Sequence, residues 1–233
     1  PQCSIQEDPI YNTNGGESNI FGLEPNYGCC TANLSQPWPK FALSTFMESD
    51  DGLVAAAYAP SSVETSINEA QVKVTLDTDY PFRKELNFKV ETDKNVEFTL
   101  WLRIPEWTEN PEISLEGETI IVEDKDEFYG LKRTWKNETS FTLKLPQSIE
   151  LVSRPNDLYA VTRGPLVYSL LIEEEWKRIN ETVPGRELPH GDFEIYPSSD
   201  WNYGFCIDEE NINSEIEFEE KDPGEFIFSP EGT

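Results

Sequence analysis

The chain is predicted to be mainly β, with antiparallel β-sandwich domains following a short loop-and-helix segment. From residue 53 onward apolar side chains recur at every second position in one short run after another, the period of a strand with one buried face. Turn-forming residues such as Glu116-Gly117 and Pro146 separate the runs at near-regular spacing, as in sheets packed face to face. Only the stretch just before them looks helical: Ser35 offers an N-cap, Pro37 a first-turn start, and Trp38, Phe41, Ala42 and Phe46 an apolar face.

Taken in order, residues 1–26 are polar and rich in turn formers, Asn12-Thr13-Asn14-Gly15-Gly16 at their centre, and read as a long surface loop that brings Glu24 and Tyr27 towards the following motif. Pro25, Asn26 and Gly28 then make a turn into the adjacent pair Cys29-Cys30, which the helix Trp38–Phe46 follows. Asp50-Asp51-Gly52 breaks the chain before the first strand-like run, Leu53 to Ala59. Val72-Lys73-Val74-Thr75-Leu76 alternates, as do Leu86, Phe88 and Val90. The clearest run is Val96, Phe98, Leu100, Leu102 and Ile104, with Thr99, Trp101 and Arg103 on its other face and Pro105 at its end. Ile120–Val122, Phe141-Leu143-Leu145 and Ile149–Leu151 continue the pattern.

After Tyr159–Thr162, Gly164-Pro165 predicts a bulge or sharp bend between two strand segments, the second carried by Leu166, Tyr168, Leu170 and Ile172. Glu173-Glu174-Glu175 is read as leaving the sheet, and 178–197 as a long polar loop holding the single histidine, His190. Cys206 stands between Phe205 and Ile207 in a strand-like run, where packing is its expected role. Residues 208–222 are an acidic, solvated stretch. The domain division expected is 1–49, 50–147 and 148–233.

Forty-five acidic residues against 18 basic ones leave a net charge of −27. A polyanion of this kind repels nucleic acid and anionic membranes, so neither is an expected partner, whereas neutral sugar polymers are allowed. No run reaches the roughly 20 apolar residues that cross a bilayer. One histidine argues against a Ser-His-Asp triad or a histidine-rich metal site. Sequons at Asn33, Asn137 and Asn180 suit a secreted protein, although a glycan at Asn33 would crowd the cysteine pair.

The pair itself has two readings. A thiolate is a strong nucleophile and a zinc ligand when a metal or a helix N-terminus stabilises its charge. Adjacent cysteines can equally form a vicinal disulfide, pair with Cys3 and Cys206, or be buried.

Five motifs in order, GLEPNYGCCTAN, QPWPKF, LWLRIPEW, TRGPLVYSL and DWNYGF, run from Phe21 to Phe205 and resemble the β-L-arabinofuranosidase family of glycoside hydrolases, GH127. The resemblance implies a retaining hydrolase of β-L-arabinofuranosides in which Cys29 is the nucleophile and Cys29 and Cys30 bind zinc. It further implies that the other zinc ligands, a glutamate and a third cysteine, and the acid/base glutamate lie upstream. Residues 1–49 would then end an (α/α)6 barrel catalytic domain. Thr31 stands where better-studied members carry proline, which marks a sub-branch.

The chain opens at Pro1 and is read as a fragment, inactive alone, whose whole protein acts on an arabinose-containing oligosaccharide or glycan. Cys29 and Cys30 are expected reduced and partly ligated, with Trp38 and Phe41 packed beneath their loop. The alternative is a non-catalytic module, either binding carbohydrate through Trp101, Trp107 or Trp201 or serving as a structural accessory.

Overall fold

The computed structural model describes residues 21–22, 32–33, 35–122, 126–155, 158–208 and 211–222. These divide into two compact units, a larger one built on 41–169 and the described part of the tail from 206, and a smaller one built on 170–205 and the described residues up to 40.

The larger unit is centred on two facing sheets. One has four strands, β2 (Phe46–Ser49), β3 (Gly52–Ala55), β7 (Val96–Arg103) and β10 (Phe128–Trp135), in the order β10-β7-β3-β2. The other has six: β4 (Ser61–Ile67), β5 (Ala70–Asp77), β6 (Glu85–Thr92), β8 (Glu112–Leu115), β9 (Glu118–Ile121) and β11 (Glu138–Lys144), in the order β4-β5-β6-β11-β8-β9. The alternating residues of the sequence face inward as expected, with Val72, Val74, Leu86, Phe88, Val90, Phe98, Leu100, Leu102 and Leu143 all buried. Trp135 joins the sheets. Its ring stacks on Phe98 at 5.4 Å and tilts against Phe141 at 6.1 Å across the core, and its buried Nε1 donates to the Phe98 carbonyl at 3.1 Å.

Tight turns set the registers. Asn68-Glu69 and Glu116-Gly117 join β4 to β5 and β8 to β9 with positive φ at both residues, the geometry whose twist matches flanking antiparallel strands. One pairing departs from the antiparallel expectation: β3 runs parallel to β7. The chain leaves the four-stranded sheet after β3, builds β4–β6 in the other sheet and returns in the same direction, which a crossover permits and a hairpin does not. That neighbour also buries Thr99, which alternation had placed on the outer face.

A separate three-stranded sheet follows, β12 (Ile149–Arg154), β13 (Leu158–Arg163) and β14 (Leu166–Tyr168). The expected bend at Gly164-Pro165 is a reversal: Gly164 adopts φ +56 and β13 pairs with β14 antiparallel from Arg163↔Leu166. The strand stops at Tyr168, so the Leu170 and Ile172 alternation lies outside it, and both residues pass into the smaller unit. The acidic tail is largely exposed, as expected, but it is also tethered. Beyond α2 (Ile212–Glu215), Phe218 packs edge-on against Tyr168 at 4.6 Å and beneath the Arg163 guanidinium at 5.3 Å, Arg163 pairs with Glu220, and Arg83 donates to the Lys221 carbonyl at 2.6 Å.

The smaller unit corrects the reading of 173–197 as a departure from the sheet and a loop. Glu174–Ile179 and Asp192–Pro197 are strands, β15 and β16, paired along six residues, and β1 (Phe21–Gly22) adds to the other edge of β16. A buried face writes the period of two into a sequence. Here Trp176 and Tyr196 are exposed and most of both strands is accessible, so that signal is missing.

The predicted helix is also shorter than expected. It is α1 (Pro37–Leu43), and Phe46 instead enters β2 and is buried. No residue of α1 is buried, and Trp38 and Phe41 are exposed, so neither packs into a core among the described residues.

Candidate functional site

Cys29 and Cys30, together with Cys3, Glu24 and Tyr27, lie outside the described residues, and the structure places their flanks. Upstream, β1 docks on the start of β16 with Phe21 opposite Phe193 and Gly22 opposite Asp192. Downstream, Gln36 closes the turn before α1, donating through its backbone N–H (3.1 Å) and its side-chain amide (2.7 Å) to Asn33.

The β16 flank holds a polar cluster that sequence reasoning missed. Asp192 is buried, and its Oδ2 accepts from Asn180 Nδ2 at 2.9 Å and pairs with Arg186 Nε at 3.3 Å. Arg178 braces the same loop by donating to the Arg186 carbonyl at 3.0 Å, and lies 3.9 Å from Glu181. Asp192 Oδ1 and Arg178 Nε are buried without hydrogen-bond partners. No periodicity or motif announces this arrangement, because its members are brought together by the fold of the 180–191 loop. Asn180 is committed to it, which sets its side chain against a role as glycan acceptor.

Other candidates separate clearly. Cys206 is free and exposed outside any strand, correcting the packing role expected of it. His190 is exposed in its loop, as expected. Trp101 donates through Nε1 to Asp51 at 2.9 Å, and Trp107 packs against the core. Trp201, Tyr203 and Phe205 are exposed at alternate positions of an irregular segment. Bonds from Trp101, Thr99 and Ser49 hold the Asp51 carboxyl below the usual carboxylate range, which makes it a surface acceptor anchored in place.

Two open hollows of about 440 and 400 Å³ lie on the outer face of the six-stranded sheet, one around Glu64, Lys73, Glu91 and Glu138, the other around Asp77, Asn87, Ser114 and Thr142. Their charges are largely paired, Lys73 with Glu64 at 2.8 Å and Lys89 with Glu138 at 3.7 Å across strands and Lys89 with Glu91 at 3.3 Å along β6, and they contain no nucleophile–base pair. Among the described residues, no group of three or more His, Cys, Asp or Glu side chains is arranged to hold a metal ion.

Residues 52–147, the span from β3 to β11, match the family model described as "Beta-L-arabinofuranosidase, GH127 middle domain". That span resembles a GH127 middle domain. The match agrees with the family resemblance carried by the sequence motifs, of which LWLRIPEW lies inside it, and the two facing sheets that form the core belong largely to the matched span.

Solved structures share its fold. Ara127N, a GH127 β-L-arabinofuranosidase from Geobacillus stearothermophilus T6, is 23% identical with a TM-score of 0.56 over 77% of this chain and 32% of its own. A glycoside hydrolase is 18% identical with a TM-score of 0.61 over 83% of this chain and 40% of its own. A GH127 β-arabinofuranosidase is 20% identical with a TM-score of 0.53 over 70% and 31%. The chain thus spans between about a third and two-fifths of the structures it matches. No curated protein matches it in sequence. The cysteine pair and α1 precede the GH127 middle domain, and β12–β16 follow it.

Proposed function

We propose that this chain is part of a retaining glycoside hydrolase acting on β-L-arabinofuranosides, with Cys29 as its nucleophile. The observation that carries the reading is a GH127 middle domain placed directly after a Cys-Cys motif of the same family resemblance. In the reaction the Cys29 thiolate attacks the anomeric carbon while a carboxylic acid protonates the departing glycosidic oxygen. The resulting thioglycoside is then hydrolysed by water, with the same carboxylate acting as base. The acid/base group is a residue of the whole protein outside this chain.

Zinc is part of the proposal. Cys29 and Cys30 would supply two soft thiolate donors, and the remaining ligands would come from outside the chain, since structural and catalytic zinc sites use three or four protein ligands. When bound, the metal would lower the thiol pKa, and full ligation would dampen the nucleophile, so the two effects must balance. The net charge of −27 suits a neutral, arabinose-containing oligosaccharide or glycan rather than an anionic substrate.

The test is Cys29→Ser in the full-length protein. Loss of β-L-arabinofuranoside hydrolysis with an unchanged circular dichroism spectrum is expected, and turnover near the parental rate would refute the nucleophile assignment. Zinc content measured on the same protein and on Cys29→Ser/Cys30→Ser should fall from stoichiometric to background.

A second reading, carbohydrate binding without catalysis, draws on the exposed Trp201, whose ring is available where those of Trp101 and Trp107 are engaged. Retention of the isolated chain on arabinan, abolished by Trp201→Ala, would favour it.

A further inference from the structure

We propose that the outer face of the six-stranded sheet carries a binding site for a neutral oligosaccharide chain, separate from the cysteine pair and from Trp201. The strand registers set the outward side chains in rows that cross the sheet. Glu64, Lys73, Glu91 and Glu138, from β4, β5, β6 and β11, form one row, and Glu85, Lys144 and Glu112, from β6, β11 and β8, form another further along the strands. Both of these rows are charged throughout. The two rows between them differ in character: Thr75, Lys89 and Ser140 make one, and Asp77, Asn87, Thr142 and Ser114 the other.

Short side chains between long ones leave a trough. The hollow of about 400 Å³ coincides with it, lined by Thr75, Asp77, Asn87, Ser114, Ser140 and Thr142 among others. A space of that size is within the range of small-molecule sites, about 300–1,000 Å³.

The floor of the trough has hydrogen-bonding capacity to offer. The Thr142 hydroxyl donates to Asn87 Oδ1 at 2.8 Å, which orients the amide and leaves the two Nδ2 hydrogens for another acceptor. No hydrogen bond among the described residues uses the hydroxyls of Thr75, Ser114 and Ser140, and each of these can both donate and accept. Groups of this kind, repeated on strands about 4.8 Å apart, suit a ligand that presents hydroxyls in series, as a sugar chain does.

Charge narrows the class further. In a chain of net charge −27 the trough's ionised groups are Asp77 and Lys89, one of each sign, and Lys89 lies 3.3 Å from Glu91 and 3.7 Å from Glu138 in the bordering row. An anionic polymer would meet carboxylates along both borders, whereas a neutral one meets hydroxyl and amide groups on the floor. The site holds whether or not Cys29 is the nucleophile, because none of its residues takes part in that reaction.

Native electrophoresis of the full-length protein through gels containing arabinan, xylan or polygalacturonate tests the proposal. Retardation by at least one of the two neutral polymers, and none by anionic polygalacturonate, is expected. Asn87→Ala removes the amide and should weaken that retention about threefold or more, and Ser140→Lys sets a long charged side chain in the floor and should weaken it about tenfold or more. Both positions are exposed, so the thermal midpoints should match the parent, and if one variant fails to fold the other decides.

Cys29→Ser and Trp201→Ala serve as controls and should each be retained within about twofold of the parent. The proposal is overturned by free migration in both neutral polymers, by equal retardation in polygalacturonate, or by parental retention of the folded trough variants. Loss of retention confined to Trp201→Ala also overturns it, by assigning sugar binding to the second reading above. Loss confined to Cys29→Ser does the same by assigning it to the cysteine segment, and a Cys29→Ser protein that still hydrolyses its substrate would sink the nucleophile reading and not this one.

Discussion

Gly52 lies directly on the backbone of Thr99: where β3 runs parallel to β7, a methyl group at residue 52 would stand 2.0 Å from the Thr99 carbonyl oxygen. Asp51 secures the same crossing, its carbonyl accepting the Thr99 N–H at 3.0 Å and its Oδ2 the Thr99 hydroxyl at 2.7 Å. No side chain fits there unless one strand moves. Gly52→Ala should therefore destabilise the two-sheet core by about 3 kcal/mol, the upper range for overpacking, read as a lower urea midpoint with an unchanged slope.

Trp135 tests how the two sheets are joined. Trp135→Ala removes a fully buried ring and should cost about 3–5 kcal/mol. Trp135→Phe keeps most of the contact with Phe98 and Phe141 but removes the bond to the Phe98 carbonyl, and should cost about 1–3 kcal/mol. Equal losses in the two variants, measured by thermal unfolding, would show that the hydrogen bond dominates over packing.

Tyr58 predicts an alkaline limit to stability. Its buried hydroxyl donates to the Arg103 carbonyl at 2.6 Å, and burial pushes its pKa far above the ordinary tyrosine value of 10.0. Above that value the unfolded chain loses the proton and the folded chain keeps it. The unfolded state then binds fewer protons, so stability falls as pH rises. Unfolding free energies at about pH 8 and pH 11 should differ more for the parent than for Tyr58→Phe, which should itself cost about 1–3 kcal/mol at pH 8.

Arg163 predicts an acid-sensitive tail. The hydrogen bond from Arg163 holds the Glu220 carboxyl below its usual value of 4.5, so the contact contributes fully above that pH and is lost as pH falls through the lowered value. Protection of residues 211–222 against hydrogen exchange, corrected for the intrinsic rate at each pH, should fall on acidification in the parent and already be low at neutral pH in Arg163→Ala. Because Arg163 also covers Phe218, Glu220→Gln should have the smaller effect. Equal exchange in all three proteins would show that Arg83 and the Tyr168 contact hold the tail by themselves.

What could be read from the sequence follows from burial. β5, β6, β7 and β11 were legible because each sets one face in the core, and the alternation of Val72, Leu86, Phe98 and Phe141 records it. β15 and β16 were illegible because most of both strands is accessible, and charged residues on them read as loop. β2 and β3 were blurred into a helix and an apolar run, since four-residue strands are too short to show a period. The cysteine pair was legible as a chemical candidate because its members are adjacent in the chain. The Asp192 cluster was not, because Arg178, Asn180 and Arg186 become partners only when the loop folds back.

By itself the sequence determined the mainly β class, the apolar inward-facing residues of β5, β6, β7 and β11, the turn at Glu116-Gly117, the strongly acidic surface and the family resemblance. These are local or additive properties, set by neighbours along the chain and by composition. Tertiary structure alone decided that β3 runs parallel to β7, that Trp135 rather than Trp38 joins a core, that Cys206 is exposed, and that an aspartate is buried beside Gly22. Each depends on which distant segment a residue meets. A period of two tells a strand which face to bury and leaves its partner, its direction and the depth of its polar groups to long-range packing.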